Sequence, residues 1–208
     1  MPIATGSVTL TRYRVETDAK DPGKLLGVQL RAHKFEPLDR AGPEERALGF
    51  VELEDRDGVA FSPGALHQGE HAVFSLRVDE IKVPAAALKA ELERWLATFE
   101  RENKRPASRK EKADAKAELR HTLKSRLPIQ TRAFDVSWHL SSGLLLVWAA
   151  SRKAIDEVQA TLEKACKLRL VPLAPATVAD ALELAEKSLA PTPELSGLGR
   201  EEAANDEA

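Results

Sequence analysis

The chain has 208 residues, 43% hydrophobic and 31% charged, with a formal net charge of −2 and a pI of about 6.3. Such a composition suits a soluble globular protein that buries a core without metal or disulfide staples. The lone Cys166 excludes an internal disulfide and fits a reducing cytosol.

The start, Met1-Pro2-Ile3-Ala4-Thr5-Gly6, shows no basic, apolar leader, and the longest apolar run, Leu144 to Ala150, is far shorter than the ~20 residues a spanning helix needs. Ser7 to Val15 is rich in β-branched residues and reads as a strand. Asp21-Pro22 supplies an N-cap and a first-turn proline, and Leu25, Leu26 and Leu30 give a helical face running to Lys34. Residues 36 to 46 read as loop. Leu48 to Leu53 and Ala72 to Val83 read as strands joined by a Gly/Pro-containing connection. Pro84 opens a helix whose Leu88, Leu92, Trp95, Leu96 and Phe99 fall on one face. Pro106 interrupts it, and Ser108 with Glu111 forms a capping box for a second helix that ends at Arg126, before Pro128. The two form a helical hairpin linked by Lys104-Arg105-Pro106. Thr131 to Leu140 and Leu144 to Ala150 flank the turn Ser141-Ser142-Gly143 as a β-hairpin. Ser151 caps a helix bearing Ile155, Val158, Leu162 and Cys166. Leu168 to Val171 reads as a short strand and Thr177 to Leu189 as a helix. The expected architecture is α+β, with mixed or antiparallel sheets, packed helices and a projecting helical hairpin. Residues 1–83 and 129–190 build the α+β domain, 84–128 form the hairpin, and 191–208 form an acidic disordered tail.

Charge is unevenly spread. Arg101 to Arg132 holds eleven Lys or Arg against four Asp or Glu, whereas Pro191 to Ala208 holds five acids and one base. On the second hairpin helix Lys112, Lys116, Arg120 and Lys124 recur every four residues as one ridge, beside an apolar ridge of Ala115, Leu119 and Leu123. Arg101, Lys104, Arg105, Arg109, Lys110, Arg126 and Arg132 extend the patch. Regularly spaced cations without matching acids suit a polyanion, because each phosphate contact releases counterions. The plainer reading is a solvated helix face with some Glu–Lys pairs.

Other chemistry finds little support. Glu52, Glu54, Asp55 and Asp57 are the residue types a Mg²⁺-dependent nuclease uses, but a solvated strand edge and turn accounts for them. His33, His67, His71, His121 and His139 form no metal-ligand motif. Cys166 lies on the apolar side of its helix and reads as inert. No nucleophile elbow, phosphate-binding glycine loop or dinucleotide fingerprint occurs. Trp95 and Phe99 sit at core spacing rather than as base-stacking platforms. No catalytic residue, metal or cofactor is therefore assigned.

A series of strings in fixed order resembles the RdgC family of recombination-associated proteins. Gly49-Phe50-Val51 is similar to the family's Gly-Trp-Val. Val83-Pro84 precedes the long helix. Arg109-Lys110-Glu111-Lys112 opens a lysine- and glutamate-rich helix ending in Leu127-Pro128. Then come Thr131-Arg132-Ala133-Phe134, Gly143-Leu144-Leu145-Leu146-Val147, Ala149-Ala150-Ser151 and Leu170-Val171-Pro172-Leu173. The likeness covers about residues 48 to 175. It implies a bacterial, cytoplasmic, nucleoid-associated protein without catalytic activity that binds the phosphate backbone of double-stranded DNA without sequence preference. It also implies a homodimer, in the family a ring around DNA, that restrains RecA-dependent recombination and has no membrane partner. Family members are about half as long again. Where they have Leu-Pro-Arg-Ala-Phe, this chain has Leu127-Pro128-Ile129-Gln130. Two alternatives stand beside this expectation: a protein-interaction module on the same fold that no longer binds DNA, and a metal-dependent exonuclease.

Overall fold

A computed structural model describes residues 9–183. The elements are β1 (Thr11–Glu16), α1 (Pro22–Ala32), β2 (Arg46–Val51), α2 (Pro63–Leu66), β3 (His67–Gln68), β4 (His71–Glu80), α3 (Ala85–Asn103), α4 (Arg109–Arg126), β5 (Gln130–His139), β6 (Leu144–Trp148), α5 (Arg152–Cys166), β7 (Arg169–Pro172) and α6 (Pro175–Ala181). The strands form one sheet in the order β2-β4-β5-β6-β1-β7, with β3 pairing β4, and every pairing is antiparallel. The fold is α+β.

Alternation in the strands sets the core. Tyr13, Phe50, Phe74, Leu76, Val136, Trp138, Leu145 and Val147 project from one face, where they meet Leu26 and Leu30 of α1 and Val158, Leu162 and Cys166 of α5. Phe50 and Phe74 meet edge to face at 5.7 Å. Burial among these side chains pushes the Cys166 thiol up to about 11, so it is an inert core residue.

Local chemistry explains most boundaries. Asp21 accepts a hydrogen bond from the Lys24 amide at 2.9 Å and caps α1, which stops at Ala32 rather than Lys34. The chain turns there because residues 33–35 pair with Phe50: the Phe35 amide donates to the Phe50 carbonyl at 2.9 Å and the Phe50 amide to the His33 carbonyl at 3.0 Å. Ser151 precedes α5 without a side-chain capping bond. β2 ends at Val51, so Glu52 and Glu54 belong to the following loop rather than to a strand. That connection contains a short helix and strand, α2 and β3, which its Gly/Pro content concealed. Ser7 and Val8, the expected continuation of the last helix to Leu189, and the acidic segment 191–208 lie outside the described residues. Among those described, no helix is long and apolar enough to cross a membrane.

The other face of the sheet is divided. Over β4 and β5 it carries a polar network under the loop after β2. Ser75 Oγ donates to the fully buried Asp135 at 2.9 Å, and Arg56 lies 3.1 Å from the same carboxylate. Arg77 grips Asp79 through two bonds of 2.9 and 3.0 Å, donates to the Arg56 carbonyl at 2.8 Å, pairs with Asp57, and stacks on Phe35 at 4.3 Å. Over β6, β1 and β7 the same face carries a different set of side chains. Leu144, Leu146 and Trp148 are half-buried there, and Arg12 and Arg14 are exposed.

Candidate nucleic-acid interface

α3 and α4 project from the sheet as an antiparallel hairpin between β4 and β5. The turn between them is built by its own charges. Lys104 ends α3 in the left-handed conformation at φ 51°. Ser108 then opens α4: its hydroxyl accepts from the Glu111 amide at 3.3 Å, and Glu111 accepts from the Ser108 amide at 2.8 Å, completing the capping box. Arg105 closes on Glu111 with two bonds of 2.6 and 3.0 Å while its guanidinium lies 5.1 Å from the Phe99 ring centroid. The Arg105 side chain, with the Ser108 amide and hydroxyl, pulls the Glu111 carboxyl down to about 2. Arg105 thus holds the turn together.

Along α4 the four-residue ridge divides. At 3.6 residues per turn, each step of four rotates about 40°, so Lys124 stands about 120° round from Lys112. The lower end of the row runs beneath the loop between α1 and β2. Arg120 forms a two-pronged pair with Glu45, whose carboxyl it holds below the usual range, mainly through the hydrogen bonds. The His121 ring nitrogen Nε2 lies 3.0 Å from the Ala41 carbonyl. Lys124 is only 2% exposed. Its ammonium donates to the carbonyls of Asp39 at 3.4 Å, Gly42 at 2.6 Å and Glu44. Three donors meet three carbonyls, so the charge is buried and satisfied. Lys124 is therefore an anchor of the hairpin's base, where the spacing alone suggests a surface contact. Arg132 is likewise paired, with Glu80 at 2.9 Å.

The remaining expected contacts, Arg101, Lys104, Arg109, Lys110, Lys112, Lys116 and Arg126, are exposed and form no ion pair among the described residues. Lys112 and Lys116 flank the seam with α3, where Ala115 is buried and Leu119 and Leu123 are half-buried. Asp114 and Glu118 stand about 200° and 240° round the helix from Lys112, on the side away from Lys112 and Lys116, with Lys110 at about 160° beside Asp114. Trp95 and Phe99 stack on each other at 5.0 Å and are half-buried on the hairpin.

Three of the four acids after β2 have partners. Glu52 accepts from the Phe61 amide at 2.7 Å, Asp55 from the Asp57 amide at 3.0 Å, and Asp57 pairs with Arg77. His71 and His139 meet edge to face at 4.7 Å, and His139 lies 3.0 Å from Glu70. Among the described residues, no group of three or more His, Cys, Asp or Glu is placed to share a metal ion.

Comparison with known proteins then decides the family. The family model described as "Putative exonuclease, RdgC" matches residues 9–185. The chain belongs to the RdgC family. The RdgC match reaches about forty residues further toward the N-terminus than the strings legible by eye, and so takes in β1 and α1. The "Recombination-associated protein RdgC" of Laribacter hongkongensis (strain HLHK9) is 29% identical over 158 residues, 74% of this chain and 50% of the relative. The chain thus spans about half the length of that RdgC protein.

Proposed function

We propose that this recombination-associated RdgC-type chain binds double-stranded DNA through its phosphate backbone, without reading sequence and without catalysis. The observation that carries the reading is the set of exposed cations on the hairpin that form no ion pair among the described residues, in a chain of net charge −2. Point charges on flexible stems neutralise phosphates but carry no base-edge pattern, so they position a protein on DNA rather than specify a site. Of the carboxylates a metal-dependent exonuclease would use, Glu52, Asp55 and Asp57 are engaged by the Phe61 amide, the Asp57 amide and Arg77, which supports a non-catalytic role. Modulation of RecA-dependent recombination in the bacterial nucleoid belongs to the same proposal and rests on the family alone. Self-association into a homodimer is supported by Leu92, Trp95, Leu96 and Phe99, which are only half-buried on α3. Light scattering at tens of micromolar tests it, and a purely monomeric mass refutes it.

The test of DNA binding is a salt titration of duplex affinity. Lys112→Ala together with Lys116→Ala removes two charges from a helix that alanine favours. The slope of log K against log salt falls by about 2, at ~0.9 per phosphate contact, and by the same amount for duplexes of unrelated sequence. Replacement of Glu52 and Glu54 leaves binding unchanged. If the lysine pair leaves affinity and slope at the parent values, the hairpin is a solvated face and the protein-interaction reading replaces this one. Loss of labelled DNA on incubation with Mg²⁺ or Mn²⁺ would refute the non-catalytic reading.

A further inference from the structure

We propose a second DNA-backbone contact on the β6-β1-β7 part of the sheet, centred on Arg12 and Arg14 of β1. It rests on the DNA-binding reading above and adds a surface outside the hairpin. Alternation assigns the faces of β1. Tyr13 and Val15 point into the core with α1 and α5, so Arg12 and Arg14 project from the opposite face. The register places Arg12 beside Leu146 of β6, and Arg14 between Leu144 of β6 and Val171 of β7. Two guanidinium groups two residues apart therefore stand on a floor of half-buried apolar side chains.

The rest of the same face shows what an occupied sheet looks like in this protein. Over β4 and β5 each charge is matched, Asp135 by Arg56 and Ser75, Arg77 by Asp79 and Asp57, and a loop covers them. Over β6, β1 and β7, Arg12 and Arg14 are exposed and form no ion pair among the described residues. At the edge, Arg169 lies 3.7 Å from Glu16, and at the far end His139 meets Glu70 at 3.0 Å. These pairs leave the middle of the face with uncompensated positive charge. A polyanion with a regular charge repeat fits that arrangement, because arginine forks match phosphate oxygens and stay charged at any working pH. An acidic protein surface or a second copy of this chain would meet the same two cations, and the test below separates those occupants from DNA.

The two surfaces are far apart. From Ser137, which sits level with Leu146 and Arg12, to Gln130 at the hairpin's base is seven residues along β5, about 23 Å at ~3.3 Å per residue. Substitutions at that separation act independently, so their effects on binding add.

The experiment uses the full chain and salt-titrated binding to labelled duplex and to single-stranded DNA of equal length. Arg12→Gln with Arg14→Gln removes the charges and keeps the side-chain length. The duplex slope of log K against log salt then falls by about 2, and by about 4 in total when combined with the Lys112/Lys116 pair. Arg12→Lys with Arg14→Lys restores most of the slope, which a structural role for the guanidinium groups would not allow. Thermal unfolding of all variants stays at the parent value, because both side chains are exposed. If the lysine pair lowers the slope and the arginine pair does not, the hairpin reading stands and this second surface is refuted. If neither pair changes it, both are refuted. A change in oligomeric mass with an unchanged DNA slope assigns the face to self-association and overturns the proposal. A slope change confined to single-stranded DNA overturns the duplex assignment and leaves a single-strand contact in its place.

Discussion

Lys124→Met separates the two halves of the cationic ridge. In the folded protein the ammonium bonds to three backbone carbonyls and is 2% exposed. Methionine keeps the length and apolar volume of the stem but leaves those carbonyls short of a donor. A hydrogen bond to a charged group contributes about 1.5–3 kcal/mol, and the lysine recovers several kcal/mol of hydration when it unfolds. The net loss is about 3 kcal/mol, which for a domain of this size lowers Tm by about 6–12 °C. The DNA salt slope does not change, because the charge never reaches a phosphate. Lys116→Ala gives the opposite pair of results: stability within about 0.5 kcal/mol of the parent, and a slope lower by about 0.9. Calorimetry or circular dichroism gives the first quantity and anisotropy titration the second. A Lys124→Met protein with parental Tm and a lower salt slope would refute the anchoring role and return Lys124 to the binding surface.

Three further outcomes follow from the same contacts. The Glu111 carboxyl is held at about 2 against an ordinary 4.5, so its contribution to the hairpin turn is present above pH ~4.5 and is lost as pH falls toward 2. Hydrogen exchange at residues 104–112 reports this, and Glu111→Gln removes the transition. Gly49→Ala places a Cβ 2.4 Å from Phe35 Cα and 2.6 Å from Phe35 N, in backbone already fixed by pairing with Phe50, and lowers stability by about 1–3 kcal/mol in chemical denaturation. Deleting Pro191 to Ala208, with its five acids and one base, tightens duplex binding at low salt, and the gain fades near 1 M salt, where screening acts within ~3 Å; unchanged low-salt affinity would reduce the segment to a solubilising one.

What the sequence revealed was local in origin. Asp21-Pro22 marks the start of α1, and Ser108 with Glu111 marks α4, because the atoms that satisfy each helix end lie within three residues. Apolar spacing placed α3 and α5 for the same reason. The fate of Lys124 was not legible. A helical wheel shows which way a residue points, but not that Asp39, Gly42 and Glu44, some eighty residues earlier, arrive with their carbonyls. The β2–β4 connection failed differently: one helical turn and a two-residue strand are too short to leave a periodic signal. Arg12 and Arg14 read as ordinary strand residues, and only the sheet register shows that they share a face with apolar residues, not acids, beside them.

The position of β1 also bears on how the chain acquires its fold. β1 lies between β6 and β7, so its neighbours in the sheet, residues 144–147 and 169–172, are made more than 120 residues after it. During synthesis the first strand waits unpaired while α3 and α4, whose contacts are local, assemble as soon as they emerge. Closure of the sheet is a late event of high loop-closure cost, and it joins β6 and β7 through β1. A nascent chain stopped at the end of α4 would therefore carry a formed basic arm on a sheet that has only β2, β3 and β4.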